Sequence, residues 1–393
     1  MKKTFLDLGR QPLANDFKLK GNNKFYNLKL EFDKKTKLIS INKRFNKKVM
    51  FNKSYPYRSS QSSTINKHFN KLSKIITNEY NPKNILEIGS NDGAFACNFL
   101  KKKITCIEPC LDVAVELRKK NFKVYVDYFD KKLVGNFLKK NLKFDLIFSA
   151  NTITHINNIS NVFKNIDKIL TDEGVFILEE PSFLECFKKN AFDQFYNEHI
   201  YVLSAISLTN ILKTLGLKIF KIENIDVHGG SLRYYIIKEK NKSFKIHKSY
   251  RAQIQNEKKF KLDKYSSCIA FKKNVNNIKK KLCQIFLKIK KNDNKIIGYG
   301  ASAKAVTVLN FCELKEGFVD YFLDTTRNKI GKFLPGTKIK VKKYSNKLMD
   351  QKNFYFLGAW NFKDEIIKKE KFFLKNKGKF ISHLPKPHIF GLK

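Results

Sequence analysis

Residues 85–108, ILEIGSNDGAFACNFLKKKITCIE, decide how the rest of the chain is read. A short apolar run, Ile85-Leu86-Glu87-Ile88, ends in Gly89-Ser90-Asn91-Asp92-Gly93. An amphipathic segment follows, then a second apolar run that closes on Glu108. The order is strand, glycine turn, helix, strand, acid. Such a turn brings backbone N–H groups close to a ligand, and an acid on the next strand tip can take two ribose hydroxyls. The spacing G-x-x-x-G has neither the G-x-G-x-x-G order of a dinucleotide site nor the Gly-Lys-Ser/Thr ending of a P-loop, so the turn is not read as a phosphate cradle. The bland alternative is a βαβ unit whose glycines serve packing alone.

The run resembles motif I of the class I S-adenosylmethionine (SAM) methyltransferases, whose ligand has a ribose and an amino acid but no phosphate. That resemblance implies that Glu87, Gly89 and Gly93 shape the pocket for the amino-acid end and that Glu108 binds the ribose. Asp127 and Asn151, near the ends of later strands, complete the expected cofactor set.

At 393 residues, 42% of them hydrophobic, the chain is long enough for two or three domains with their own cores. A formal charge of +44 would ordinarily suggest a nucleic-acid partner. Here only seven of the 79 basic residues are Arg, and Asn, Ile and Phe are abundant, the mix that AT-rich codons produce. The lysines are scattered along the chain rather than gathered in a block, which reads as solvated helix faces and not as a nucleic-acid interface. The seven cysteines, at 97, 106, 110, 186, 268, 283 and 312, form no C-x-x-C pair and read as reduced thiols of a cytoplasmic protein. Asp7, Arg10 and Gln11 break any signal-peptide core after Met1-Lys2-Lys3. No run approaches the roughly 18 apolar residues of a membrane span. No repeat of solenoid period is present.

Four segments follow from the patterning. Residues 1–80 form a leader: short β-like runs, a hairpin turning at Asp33 to Lys37, then a helix with Ile65, Phe69, Leu72, Ile75 and Ile76 on one face. Residues 81–240 alternate strand and helix, with strands expected at 84–88, 104–108, 123–127, 144–149 and 174–179, helices at 93–102, 111–120, 160–170 and 204–215, and a final β pair at 217–224 and 231–238. Lys-rich helical sequence spans 241–293. Residues 294–393 open with a second strand–glycine turn–helix and continue with strands at 318–323, 353–357 and 379–382. The expected fold is α/β: a doubly wound methyltransferase sheet, a small β/α leader and a C-terminal Rossmann-like domain.

Four constellations carry chemistry. Strand 144–149 runs into Ser149-Ala150-Asn151-Thr152-Ile153-Thr154-His155, and in a doubly wound sheet that end lines the ligand crevice. His155 is expected at the pocket mouth, with a capping or surface histidine as the alternative. In Phe192-Asp193-Gln194-Phe195-Tyr196-Asn197-Glu198-His199, Glu198 can fix the tautomer of His199 for general-base work and Tyr196 can donate to a developing oxyanion. An amphipathic helix start reads equally from the same residues. His228-Gly229-Gly230-Ser231-Leu232-Arg233 lets backbone pass close to a ligand, or is simply a Gly-Gly hairpin turn. In Gly298-Tyr299-Gly300-Ala301-Ser302-Ala303-Lys304, helix amides with Ser302 and Lys304 can hold phosphate oxygens, although a lone G-x-G says little.

The order of these runs, together with Leu8 to Asn15, Ser54-Tyr55-Pro56-Tyr57-Arg58 and Ala359-Trp360-Asn361-Phe362, is similar to the nucleotide-sugar C-methyltransferases of deoxysugar biosynthesis over essentially the whole chain. The resemblance implies a nucleoside-diphosphate-linked 4-keto-6-deoxy sugar methylated at the carbon alpha to its ketone. It implies His199 as base, with Tyr196, Glu198 and His155 orienting the sugar and stabilising the enolate. Tyr55 and Tyr57 would wall the sugar pocket, and His228 and Arg233 join the substrate set. Ser302 and Lys304 would hold the diphosphate.

Two departures stand out. Relatives of this kind carry an N-terminal zinc module with two C-x-x-C pairs. Here the chain starts after the first pair, and Asp33 and Thr36 occupy the places of the second. Two oxygen side chains do not replace four thiolates, so zinc is not expected and the leader hairpin must be held by its own packing. The usual Tyr-His-Glu-His reads Tyr196-Asn197-Glu198-His199, which is harmless if that position only hydrogen-bonds and otherwise marks a changed substrate. An O- or N-methyltransferase on another nucleotide-linked acceptor, and a non-catalytic nucleotide-sugar binder, are the competing readings. Oligomeric state stays open.

Overall fold

A computed structural model describes residues 1–43, 45–46 and 57–391; Tyr55 falls outside them. The leader holds β1 (Lys2–Pro12), β2 (Phe25–Asp33) and β3 (Ile39–Ile41). The next unit holds β4 (Ile85–Ile88), β5 (Ile104–Ile107), β6 (Lys123–Tyr125), β7 (Phe144–Ala150), β8 (Leu170–Pro181), β9 (Tyr201–Val202), β10 (Leu217–Ile225) and β11 (Ser231–Lys238). The C-terminal unit holds β12 (Ile296–Tyr299), β13 (Phe322–Asp324), β14 (Val341–Lys343), β15 (Phe354–Leu357), β16 (Lys379–Ser382) and β17 (His388–Phe390).

Three sheets result. A seven-stranded sheet runs β10-β11-β8-β7-β4-β5-β6, parallel from β8 to β6, with β11 antiparallel to both β8 and β10. Strand order reverses at β4, between β5 and β7, which puts a ligand crevice at its C-terminal end. A six-stranded sheet, β14-β13-β12-β15-β16-β17, repeats that plan with its reversal at β12. The four-stranded leader sheet β1-β2-β3-β9 takes its last strand from the middle unit. One buried cluster runs through all three units, from Leu6 and Phe32 through Ile147 and Leu178 to Val306 and Phe356.

Helix Ser63–Tyr80 starts where the Ser62 side chain accepts from Ile65 N and stops at Asn81, which adopts φ 39°. Its buried residues Ile65, Phe69, Leu72 and Ile76 follow the helical period. The helix expected at 93–102 does not form: the chain makes two short 3-10 turns, Ala96–Asn98 and Lys101–Lys103. Asn98 Nδ2 donates to the carbonyls of Ala94 (2.9 Å) and Phe95 (3.0 Å), and the Phe95 ring stacks on Phe148 at 3.8 Å between centroids. Side-chain bonding and aromatic packing thus override the helical period. Helix Lys131–Lys139, absent from the sequence reading, begins at Asp130, whose side chain accepts from Lys132 N and Leu133 N. In the leader, Asp33 Oδ1 accepts from Lys35 N (2.8 Å) and Thr36 N (2.9 Å), so an aspartate turn closes the hairpin.

The three-way register of β10, β11 and β8 sets Arg233 opposite Glu223 on one side and Glu179 on the other. Arg233 Nε reaches Glu179 Oε1 at 2.6 Å, its Nη1 reaches Glu223 Oε2 at 2.7 Å, and His68 Nε2 lies 2.8 Å from Glu179 Oε2. Burial alone would raise the Glu179 pKa; the His68 hydrogen bond and the Arg233 charge outweigh it and hold the carboxyl below its ordinary value. The network ties helix Ser63–Tyr80 to the sheet. Arg233→Ala leaves Glu179 buried without its cation and is expected to cost about 3–5 kcal/mol in urea unfolding; a loss below about 1 kcal/mol, the range of an exposed pair, would contradict this account.

Candidate active site

At the β4 switch point, Gly89 adopts φ 77° and donates from N to Ile107 O at 2.9 Å. A Cβ there would fall 2.2 Å from Thr152 Oγ1, so only glycine lets the two strand-end loops close on each other. Glu108 organises the turn: Oε2 accepts from Asn91 N (2.9 Å) and Oε1 from Cys110 N (2.8 Å). Above it opens a cavity of about 710 Å³ lined by Glu87, Gly89, Glu108 and Asn151, with the aromatic rings of Phe69, Phe95 and Tyr128. Glu87 is buried, and its Oε2 has no hydrogen-bond partner among the described residues. Burial, reinforced by Glu108 and Asp92, pushes its pKa well above the carboxylate range. An orphaned buried carboxyl suits the ammonium of an amino acid, and Glu108, holding the turn with one accepted bond per oxygen, keeps lone pairs for a ribose. These residues fit SAM.

Two expected cofactor residues are placed elsewhere. Gly93 does not line this cavity; its φ of 86° and missing Cβ make room for Leu117, whose Cδ2 would lie 2.6 Å from an added Cβ. Asp127 is turned to the backbone, accepting from Tyr128 N at 2.8 Å, and the residues after it, Tyr128 and Asp130, face the cavity instead.

A second cavity, about 440 Å³, lies between the middle and C-terminal units. Tyr57, Asn151, His155 and His228 line both cavities, so the two meet there. Tyr196, Glu198, His199, Ser302 and Lys304 line the second. His199 Nδ1 lies 2.9 Å from the Gln194 carbonyl, which can only accept, so Nδ1 carries the hydrogen. Nε2 is therefore bare and accepts the Tyr196 hydroxyl at 2.6 Å. The His155 ring stacks on His199 at 4.9 Å between centroids. Burial, then His155 and Lys304, hold the His199 pKa well below 6.5. Burial lowers His155 to about 4, and burial with Lys304 lowers His228 to about 4. All three imidazoles are neutral at neutral pH.

The sequence expectations need correction at three points. Glu198 does not orient His199; its Oε1 accepts from Asn15 Nδ2 at 2.7 Å, and a backbone carbonyl sets the tautomer instead. Arg233 lines neither cavity and is committed to Glu179 and Glu223. The Ser302 hydroxyl is engaged as a helix cap, accepting from Ala305 N (3.1 Å) and donating to Gly358 O (2.6 Å). Lys304, by contrast, has no hydrogen bond or ion pair among the described residues, and burial lowers its pKa. Asn197 is buried, lines neither cavity, and neither atom of its amide is hydrogen-bonded among the described residues.

Sequence reasoning assigned no role to Asn15, Gln194 or Asp193. Asp193, fully buried, accepts from Trp360 Nε1 (2.6 Å) and lies 3.0 Å from His383 Nε2, which pins the segment that carries Tyr196 and His199 to the C-terminal unit. Each sits in a run already quoted above; what was missing was its partner, more than 150 residues away for Asn15 and Asp193.

A family model for a methyltransferase domain matches residues 57–222, and one for a C-methyltransferase C-terminal domain matches residues 226–385. C-methyltransferase NovU of Streptomyces niveus is 24% identical over 342 residues, covering 86% of this chain and 81% of that protein. Among solved structures, a SAM-dependent methyltransferase from Clostridium acetobutylicum ATCC 824 aligns with 44% of this chain and 91% of its own at 16% identity and TM-score 0.35. The CcbJ methyltransferase from Streptomyces caelestis aligns with 43% and 89% at 11% identity and TM-score 0.36. No helix among the described residues is long and apolar enough to cross a membrane. With the matched regions meeting between residues 222 and 226, and a cleft whose orphaned carboxyl and ribose-side acid fit the donor, the chain is a SAM-dependent methyltransferase whose two halves match a methyltransferase domain and a C-methyltransferase C-terminal domain.

Proposed function

We propose that the chain methylates the carbon alpha to the ketone of a nucleoside-diphosphate-linked 4-keto-6-deoxy sugar. The observation that carries this reading is the half-buried side chain of Lys304, without hydrogen bond or ion pair among the described residues, in a cavity that also holds the Tyr196–His199 pair and meets the donor cleft. A desolvated cation without a partner calls for an anion, and a diphosphate supplies one. The seven free cysteines support a reducing, cytoplasmic setting.

SAM, when bound, supplies a methyl carbon on a sulfonium that departs as a neutral thioether. Glu87 and Glu108 hold its two ends. His199 is the proton acceptor, reached through the Tyr196 hydroxyl: as the substrate C–H bond breaks, the proton passes to the Tyr196 oxygen and the hydroxyl proton passes to His199 Nε2. The C–H electron pair moves onto the ketone oxygen, in the space lined by His155 where the two cavities meet. Gln194 keeps His199 in the tautomer this requires, and Asn15 keeps Glu198 directed at the sugar. Tyr57 closes the space where the two cavities join.

Three outcomes test the reading. Exchange of the substrate alpha proton with deuterated water should slow about a hundredfold or more in both His199→Ala and Tyr196→Phe. Wild-type exchange in Tyr196→Phe would mean that His199 acts directly, and wild-type exchange in His199→Ala would remove the base; product NMR distinguishes a new C–CH3 from O–CH3. Glu87→Gln should weaken SAM about tenfold to a hundredfold by calorimetry, and wild-type affinity should rise with pH because an ammonium on Glu87 expels its proton. At saturating SAM the imidazoles, already neutral, should leave kcat/KM for the acceptor level from about pH 7.5 to 6. Their folded pKa values lie below the unfolded 6.5, so protons favour the unfolded chain: their contribution to stability is full above about pH 6.5 and declines as pH falls toward 4. An activity midpoint near 6.5 without unfolding would contradict this.

A further inference from the structure

Of the four residues that line both cavities, Asn151 and His155 follow β7 and His228 lies between β10 and β11, whereas Tyr57 comes from the leader. The donor turn holds it there. Asn91 Oδ1 accepts from Ser59 N at 2.9 Å, and Asn91 Nδ2 donates to the Tyr57 carbonyl at 3.3 Å. Asp92, which is buried, takes Ser60 on both oxygens: Oδ2 accepts from the hydroxyl at 2.6 Å and Oδ1 from N at 3.1 Å. Arg58 reaches the helix Leu111–Lys119, with Nη2 2.7 Å from Asp112 Oδ2 and Nε 3.3 Å from Glu116 Oε1. Each of residues 57–60 is thus fastened to the turn after β4 or to the helix that follows Glu108.

The same turn serves the donor. Asn91 N is the amide that Glu108 accepts at 2.9 Å, and Asn91 lines the donor cavity. Its φ of 47° lies in the left-handed region, which glycine would hold with less strain. What an asparagine adds there is the pair of side-chain bonds to the leader. Tyr196 and His199, by contrast, line only the second cavity. Proton removal therefore needs the second cavity alone, whereas methyl transfer needs the occupants of both held close and in line. An ionised substrate has two fates in that space. Its carbon takes a proton back from the Tyr196–His199 pair, or it forms a C–C bond to the methyl as the C–S electron pair leaves on sulfur. Tyr57, bordering both occupants, bears on the second fate and not on the first.

We infer that Asn91 and Asp92 are positioning residues for Tyr57: through Ser59, Ser60 and the Tyr57 carbonyl they set that side chain between donor and acceptor, and so commit an ionised substrate to methylation rather than to reprotonation. The inference rests on the carbon acid proposed above as substrate. It places the alignment of the acceptor in the turn that binds the donor, with neither residue touching the reacting atoms.

Two rates measured on the full chain with saturating SAM in deuterated water test it: methylation, and entry of deuterium into substrate that returns unmethylated. The probes are UDP-, GDP- and dTDP-linked 4-keto-6-deoxy sugars, of which the one that wild type exchanges fastest is used. Asn91→Gly keeps the left-handed backbone and the N–H bond to Glu108 while deleting both side-chain bonds. Ser60→Ala deletes one bond to Asp92 at a residue that lines neither cavity. The ratio of exchange to methylation is expected to rise about tenfold in Asn91→Gly and about threefold in Ser60→Ala, with S-adenosylhomocysteine affinity by calorimetry within about threefold of wild type. Ser60→Thr, which keeps the hydroxyl, should hold the wild-type ratio. An unchanged ratio in Asn91→Gly, including a proportionate loss of both rates, overturns the inference and leaves the proposed substrate class standing. An unchanged ratio in Ser60→Ala removes Asp92 from it. A fall in S-adenosylhomocysteine affinity that matches the fall in methylation also overturns it, since the bonds would then serve the donor alone. No exchange of any of the three sugars by a wild-type chain that binds S-adenosylhomocysteine overturns both.

Discussion

The buried carboxylate of Asp193 is the constraint on which the site depends. It opens a segment, residues 192–202, that has little regular structure of its own beyond the short turn Phe192–Gln194 and the two residues of β9. Its shape is imposed from outside. Trp360 and His383 of the C-terminal unit hold Asp193; the leader strand β3 pairs with β9, and Asn15 holds Glu198; the middle unit contributes Ile200 N to Thr154 O at 3.0 Å and Gln194 Nε2 to His228 O at 2.9 Å. The Tyr196–His199 pair is thus positioned only when all three units are docked. An irregular segment fixed by partners from several elements is pre-organised without being rigid in isolation, which is what alignment-sensitive methyl transfer requires.

The site also has to stay electrically quiet inside a chain of charge +44. Some lysines settle on carboxylates or on aromatic faces, as Lys238 does on Asp172 (3.1 Å) and Lys3 and Lys221 do over Tyr265 and Tyr235 (4.3 and 4.7 Å). Lys304 does neither. Its charge, together with burial, disfavours protonation of His199 and His228. The same lysine that would bind an anion on the proposed reading therefore helps keep these imidazoles neutral, and an anion beside it would relax that pressure.

The fold was largely legible because the strand–turn–helix alternation is local. Glu87, Gly89 and Glu108, the His155 strand end and the Tyr299–Lys304 turn all lie beside the cavities, at strand ends that the alternation makes visible. What failed was set by distant partners. The helix expected at 93–102 gave way to the Phe95–Phe148 stack, a contact across the sheet. Arg233 read as a substrate ligand because its strand follows a Gly-Gly turn, but register with β8 and β10 decides its use. Glu198 adjoins His199 in sequence, yet neighbours in an irregular segment need not face each other, and the leader supplies it with a partner in Asn15. Asn197, where the sequence departs from the usual His, is buried and lines neither cavity.

Two doubly wound sheets, each with its crevice at the strand-order reversal, give a physical reason for the arrangement. A crevice of this kind binds a nucleoside well but presents few groups for proton transfer, since its strand tips are occupied in shaping turns, as Glu108 and Asp324 are. Setting two crevices to share one space leaves the chemistry to whatever lies between them. Here that is a segment belonging to the middle unit by sequence, to the leader by strand pairing and to the C-terminal unit by Asp193. On the reading proposed here, Glu87 and Glu108 take the donor and Lys304 the anion of the acceptor, and the energy of those contacts serves to bring the two reactive ends to the Tyr196–His199 pair. Specificity and catalysis are then separable: the crevices choose the partners, and Tyr196 with His199 acts on whatever acidic carbon they deliver.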